Sequence, residues 1–417
     1  MADGFFTVDS NGPKSRVAFG GMLPKCGRCG LYKTCNTPKI STIGRGKRGI
    51  LFVLGSPSDE VDKGRNFYAT QEGQFLNKIV SAYGLDLKED CWVTYAVICH
   101  ANLRKIKDEI DCCRPTIRKT IEDLKPSAII PLGEAAIRSV ILELWAGELD
   151  DFEKWIGWAI PSQKWNAWVC PSYSASSIAT AERVINNPRP DKLSPLLFRR
   201  HMTACFKRAG TRPWKIVPNY KNDIQIVTPN EAAKIIRSEL KRKPMQDTAF
   251  DYETNMLKPD AVNSQIWSCS VCFGGRETIA YPWHGEAIAA TREYIRSPCG
   301  KIASNLKFET RWTMQKLRTR VRNWVWDTMI AAHVIHPEHY VTSVKFQAFV
   351  LLGVPLWNTE VDAYLKAVEV GCYSENRIQQ APRDALLLYN GLDSLLEYLV
   401  ASVQQTVFKN VEHRITI

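Results

Sequence analysis

Apolar residues along the chain fall into short dense runs, separated by segments in which they recur every three or four positions. Gly49–Ile50–Leu51–Phe52–Val53–Leu54–Gly55 is one such run. A run this short and continuous predicts a strand buried on both faces, as in a parallel sheet. Gln71 to Val80 switches to helical spacing and predicts an amphipathic helix. Cys91–Trp92–Val93–Thr94–Tyr95–Ala96–Val97–Ile98–Cys99 predicts a second strand ending at a cysteine. Cys112–Cys113–Arg114–Pro115 opens a helix through Leu124, and Ser127 to Gly133 predicts a third strand with a turn. Strands alternating with helices indicate a three-layer α/β fold.

The pattern pauses at Asn186–Asn187–Pro188–Arg189–Pro190–Asp191–Lys192, the start of a connecting region. The basic helical segments Phe198–Arg199–Arg200–His201 and Phe206–Lys207–Arg208 follow, and Thr211–Arg212–Pro213–Trp214 marks a boundary. Asp223 to Val227 then predicts a strand, with Thr228–Pro229–Asn230–Glu231 capping the next helix. The expected division is one domain over residues 15–215 and a second over 222–417.

In the second domain the pattern delivers chemistry. Thr248–Ala249–Phe250 predicts a buried strand that carries Asp251 and Glu253 at its end. Alternation puts both carboxylates on one face, where they repel unless a divalent cation lies between them. Ala303 to Glu309 is a second apolar-to-acidic stretch. Leu386 to Asp393 predicts a helix with Tyr389 and Asp393 on one face. These three ordered motifs, D-x-E, N-L-K-F-acid and Y-x-x-x-D, resemble the 3′–5′ proofreading exonuclease domain of family-A DNA polymerases, of the DEDD type with a tyrosine. Trp326–Asp327–Thr328–Met329 and Ser343–Val344–Lys345–Phe346–Gln347 stand where that family has similar segments.

The resemblance implies a ribonuclease-H-like fold with a mixed sheet. It also implies two Mg²⁺ or Mn²⁺ ions held by Asp251, Glu253, Glu309 and Asp393, with Tyr389 orienting the attacking water. Asn305 is expected to contact the terminal nucleotide, and Leu257 to wedge between the last two bases. Two hard cations on oxygen ligands are the means by which such sites hydrolyse phosphodiesters. The family's second motif ends in aspartate. Glu309 keeps the charge and reaches one methylene further. His333, His336 and His339 do not share a helical spacing and read as solvated or structural.

The first domain resembles the family 4 uracil-DNA glycosylases, which carry a [4Fe–4S] cluster. The matching segments are Cys26–Gly27–Arg28–Cys29–Gly30–Leu31–Tyr32–Lys33, the glycine-flanked strand 49–55, the strand closing at Cys99, and Cys113–Arg114–Pro115. The resemblance implies cluster ligands at Cys26, Cys29, Cys99 and Cys113. Cys112 competes for the last place, Cys35 is a bystander, and zinc is the alternative metal. The family's catalytic motifs are altered. Gly55–Ser56–Pro57–Ser58 stands in place of Gly-Glu-Ala-Pro-Gly, Tyr95 in place of an asparagine, and Pro171–Ser172–Tyr173–Ser174–Ala175 in place of Tyr-His-Pro. Phe67 matches an aromatic that stacks on an extruded base. A scaffold that binds DNA or docks a partner is expected, with excision as the alternative.

Composition narrows the partners. A net charge of +12 favours a polyanion. No apolar run in the sequence approaches a membrane span and the N-terminus lacks signal-peptide character, so a cytoplasmic chain (host cytoplasm if viral) is expected. In that reducing setting the 13 cysteines are expected as thiols or metal ligands. The palm, fingers and thumb of a polymerase do not follow Asp393, which leads to the expectation of a phage-like proofreading subunit. It would act on single-stranded or frayed 3′ ends beside a DNA polymerase on a separate polypeptide.

Overall fold

The computed structural model describes residues 28–101, 107–147, 149, 151–183, 193–336, 340–367, 369, 371 and 373–415. The chain divides into two compact units, Met1–Val217 and Pro218–Ile417.

The first unit is built on a six-stranded sheet of β1 (Ile43–Gly44), β2 (Ile50–Leu54), β3 (Cys91–Tyr95), β4 (Ala128–Pro131), β5 (Ile160–Ser162) and β6 (Ala167–Val169). Its order is β1-β3-β2-β4-β6-β5. The four central strands run parallel, and β1 and β5 pair antiparallel at the edges. All five residues of β2 are buried, because a central parallel strand is covered on both faces. Ile50, Phe52 and Leu54 share one core with helices Gln71–Ser81, Ala175–Arg183 and Leu193–Phe206.

Two expectations shift here. The second strand ends at Tyr95, four residues short of Cys99. Its neighbour β2 stops at Leu54, and only Ala96 and Val97 still find carbonyls, on Leu54 and Gly55. The following helix starts earlier than expected, spanning Lys107–Leu124 with Pro115 inside it.

The second unit holds β7 (Ile224–Ile226), β8 (Asp247–Thr254), β9 (Ile266–Cys272), β10 (Thr278–Pro282), β11 (Gly300–Ala303) and β12 (Trp324–Asp327), in the order β12-β11-β8-β9-β10-β7. The sheet is mixed: β8-β9-β10 is an antiparallel meander, while β11, β12 and β7 are added in parallel. Helices Pro229–Arg242, Glu286–Arg296 and Leu306–Leu317 contribute to the core on one face of the sheet. Helices Val344–Leu352 and Arg383–Ile415 close the other. Against the sequence expectation, Arg383–Lys409 is long and apolar enough to cross a membrane by length and composition, and 72% of its apolar window is buried inside the protein. The apolar residues of this helix, Leu392, Leu395, Leu396 and Val400 among them, pack in the core.

Candidate functional site

β8 runs through the acidic pair, so Asp251 and Glu253 lie on one face of the central strand. That face meets the helix Arg383–Ile415. Asn390 fixes the contact: its Nδ2 donates to Asp251 Oδ2 at 2.7 Å, and its carbonyl accepts from Ser270 Oγ on β9 at 2.7 Å. The register brings Asp393 onto the pair, and ligand oxygens of Asp251, Glu253 and Asp393 lie within 4.8 Å of one another. Burial, reinforced by Asp393, pushes the Asp251 carboxyl up to about 7. Burial also raises Glu253 and Asp393 above the usual carboxylate range. Three acids so placed suit a hard divalent cation.

Tyr389 is one turn before Asp393; burial and then Asp393 raise its phenol, while its hydroxyl opposes the burial that raises Asp393. Lys345 Nζ donates to Tyr389 Oη at 2.9 Å, and it lies 5.0 Å from the centre of that ring and 5.6 Å from the ring of Trp357. Trp357 Nε1 in turn donates to Asp393 Oδ1 at 2.9 Å. Lys345 also pulls Asp251, Glu253 and Asp393 downward, opposing the burial.

The second motif arrives from β11. Asn305 adopts φ 66°, ψ 63°, a left-handed geometry that asparagine tolerates better than most residues. Asp327 holds the turn: its carboxylate accepts the backbone N–H of Asn305 and Leu306 at 3.2 and 3.0 Å, and those of Met329 and Ile330 at 2.9 and 3.2 Å. One aspartate thus ties the starts of two helices together. Glu309, 2% exposed, sits in the first turn beyond it. Burial and then Asp251 raise it well above the usual range, and its Oε2 has no hydrogen-bond partner. It lies outside the group of three that closes within 4.8 Å. The Asn305 side chain is exposed and makes no cap. Leu257, past the end of β8, is 65% exposed.

Sequence reasoning singles out the segments that carry Asp327 and Lys345 without giving either residue a role, and it misses Glu397. Glu397 continues the stripe Tyr389–Asp393 by one more turn, is 3% exposed, and has an unpartnered Oε2. A helical count carried one turn beyond Asp393 would have found it.

In the first unit, Cys26 lies outside the described residues. Cys29 and Cys112 line one cavity of about 580 Å³ with Arg28, Asp108, Glu109 and Asp111. Burial and then Cys29 raise the Cys112 thiol. Cys99 Sγ accepts the Lys39 N–H at 3.4 Å, and Cys113 is 5% exposed within its helix. A larger cavity, of about 1000 Å³, opens where β2, β4 and β6 end, and Ser56, Glu72, His100, Gly133 and Ser174 line it. His100 Nδ1 is 2.7 Å from the Pro57 carbonyl. Burial pushes Glu72 up to about 7 against the Ser176 backbone N–H. Phe67 and Tyr95 are 4% and 1% exposed and meet edge to face at 6.4 Å, packed in the core. The acids near Ser56 are engaged: Asp62 with Asn36 and Thr37, Asp59 with Lys63, Glu60 with Arg65.

Comparison with known proteins gives two matches along the chain. A family model described as "Uracil DNA glycosylase superfamily" matches residues 44–208, and one described as "3'-5' exonuclease" matches residues 224–409. A type-4 uracil-DNA glycosylase of Saccharolobus solfataricus is 31% identical over 113 residues, 26% of this chain and 51% of that protein. One of Pyrobaculum aerophilum is 25% identical over 122 residues, 29% of this chain and 61% of that protein. The chain thus spans between half and about three-fifths of the length of these curated relatives. The catalytic core of RRP6 from Trypanosoma brucei superposes with a TM-score of 0.34 at 15% identity, over 45% of this chain and 48% of that one.

Proposed function

This chain carries a uracil DNA glycosylase superfamily domain followed by a 3′–5′ exonuclease domain, and from that premise we propose that it is a metal-dependent exonuclease trimming free DNA 3′ ends. The observation that carries the reading is the convergence of Asp251, Glu253 and Asp393 within 4.8 Å, with Tyr389 held at its edge by Lys345. The unpartnered, buried Glu309 Oε2 fits a divalent cation as well. Bound there, Mg²⁺ or Mn²⁺ would supply an acidified water and would stabilise the negative charge developing on the departing oxygen.

The chain's own groups do the rest. Tyr389, its hydroxyl fixed by Lys345, orients a water in line with the terminal phosphodiester. The water oxygen bonds to phosphorus, the bond to the 3′ oxygen breaks, and that oxygen takes up a proton. The products are a 5′-monophosphate and a strand shorter by one nucleotide. The exposed Asn305 and Leu257 receive the terminal nucleotide and part it from its neighbour. The +12 charge supports a nucleic-acid substrate. The ends trimmed would be those a separate DNA polymerase leaves mispaired, with this chain as its proofreading subunit. Faster trimming of mispaired than paired primer termini tests that part.

The first unit serves binding rather than excision. At the altered positions Ser56 and Ser174 offer neither a carboxylate nor an imidazole, although Glu72 and His100 line the same cavity, and Tyr95 fills core space where the related enzymes carry asparagine. Cys26, Cys29 and Cys99, with Cys112 or Cys113, would hold an iron–sulfur cluster. Brown protein with broad absorption near ~400 nm supports iron over zinc. One experiment separates the activities: labelled single-stranded and uracil-bearing duplex DNA, with and without EDTA. Mg²⁺-dependent loss from the 3′ end is expected. Abasic sites formed in EDTA would establish excision instead, and DNA left intact in both conditions would refute nuclease and glycosylase alike.

A further inference from the structure

The acidic site contains one carboxylate more than its sequence pattern accounts for. Tyr389, Asp393 and Glu397 form a single stripe at four-residue spacing on the helix Arg383–Ile415. Glu397 is 3% exposed, and Asp251, Glu309 and Asp393 all act on its charge. The backbone N–H of Ser304, immediately before Asn305, donates to it. Its Oε2 has no partner, and neither does Oε2 of Glu309. A buried carboxylate oxygen left without a donor costs several kcal/mol unless something positive meets it. Neither oxygen belongs to the group that closes within 4.8 Å, but Glu309 acts on the charge of Glu397, and one cation between the two would satisfy both.

We propose that Glu397 is a fifth metal-ligating residue, which together with Glu309 holds one of the two divalent ions. The inference rests on the nuclease reading. It explains how a glutamate can stand at position 309. The longer side chain displaces its carboxylate from where an aspartate would hold it, outside the group formed by Asp251, Glu253 and Asp393, and Glu397 supplies the second oxygen on that side. Charge also balances. Five carboxylates carry five negative charges, two divalent ions supply four positive charges, and Lys345, which acts on Asp251, Glu253 and Asp393, supplies the fifth.

The test counts bound Mn²⁺ by electron paramagnetic resonance on the full chain, with E397Q, E309Q and D251N beside wild type. Glutamine keeps the acceptor for the Ser304 N–H, so the turn is preserved. Wild type is expected to bind two ions. E397Q should keep one near wild-type affinity and bind the other at least about tenfold more weakly, and E309Q should weaken the same ion. Metal-free E397Q should melt above wild type, since a buried like charge has been removed. Two ions at wild-type affinity in E397Q would overturn the inference and leave the nuclease reading standing. A wild-type protein that binds no Mn²⁺ would overturn both.

Discussion

Replacing Lys345 with methionine should move two measurable quantities in opposite directions. Lys345 Nζ is 2.9 Å from Tyr389 Oη and packs over the rings of Tyr389 and Trp357. Methionine retains the stem and loses the charge. The hydrogen bond is charge-assisted and partly buried, the kind that contributes about 1.5–3 kcal/mol. If Tyr389 positions the attacking water, losing that bond should slow turnover about ten- to a hundredfold. The same charge opposes any cation entering the site. A unit pair 4 Å apart interacts by about 1 kcal/mol in water and about 4 kcal/mol at an effective dielectric constant of 20. Removing Lys345 should therefore tighten divalent binding by about tenfold or more. The assay is the rate of nucleotide release from a 5′-labelled single strand across a Mg²⁺ titration. For K345M a lower maximal rate is expected at a lower half-saturating Mg²⁺, with K345R intermediate in rate. A K345M enzyme with unchanged maximal rate, or with rate and metal affinity reduced together, would refute the reasoning.

Three further outcomes follow from the same geometry. Asp251→Asn removes the central ligand and should lower Mg²⁺-dependent trimming on the order of 10³-fold, measured on the same labelled strand, while the metal-free variant melts at or above the wild-type temperature at pH 7. Because the folded site raises the Asp251 carboxyl to about 7, its contribution to stability is present below about pH 4, where the unfolded group also holds its proton, and is lost as pH rises toward 7. Metal-free protein should thus melt at lower temperature at pH 7 than at pH 5, and saturating Mg²⁺ should flatten that trend. Gly391→Ala should destabilise the second unit by about 1–3 kcal/mol in denaturant titration and slow trimming, because a Cβ there would meet Ile224 Cγ2 at 2.4 Å and force the helix carrying Asn390 and Asp393 off the sheet.

What the sequence reveals at this site is what depends on local periodicity. The two-residue spacing of Asp251 and Glu253 and the four-residue spacing of Tyr389 and Asp393 define faces before any tertiary contact exists. The left-handed turn at Asn305 and the double use of Asp327 are less legible. Asp327 caps the helix Thr328–Ile335, but its bonds to Asn305 and Leu306 span about twenty residues and depend on β11 and β12 lying in parallel register. Lys345 is hidden for the same reason: only the packing of helix Val344–Leu352 against helix Arg383–Ile415 turns an ordinary helical lysine toward the acids. The premature end of β3 reflects where its partner β2 stops, a property of the pair and not of residues 96–99.

The two units show opposite fates of an altered motif. In the second, Glu309 departs from the aspartate of the related exonucleases, yet the site around it retains two unpartnered buried carboxylate oxygens, a fixed tyrosine and a lysine. Those features cost stability unless ligands meet them, so a site that had lost its chemistry would gain by neutralising them. In the first, serines occupy altered positions of the cleft, Tyr95 Oη is buried without a partner, and burial pushes Glu72 up to about 7. Tyr95 packs against Phe67 with 1% exposure, Asp62 is bonded to backbone N–H groups of Asn36 and Thr37, and Ser56 and Ser174 line the cleft beside Glu72 and His100. The acids that converge around Asp251 assign the hydrolysis to the second unit, and the first keeps a cavity lined by serines together with Glu72 and His100.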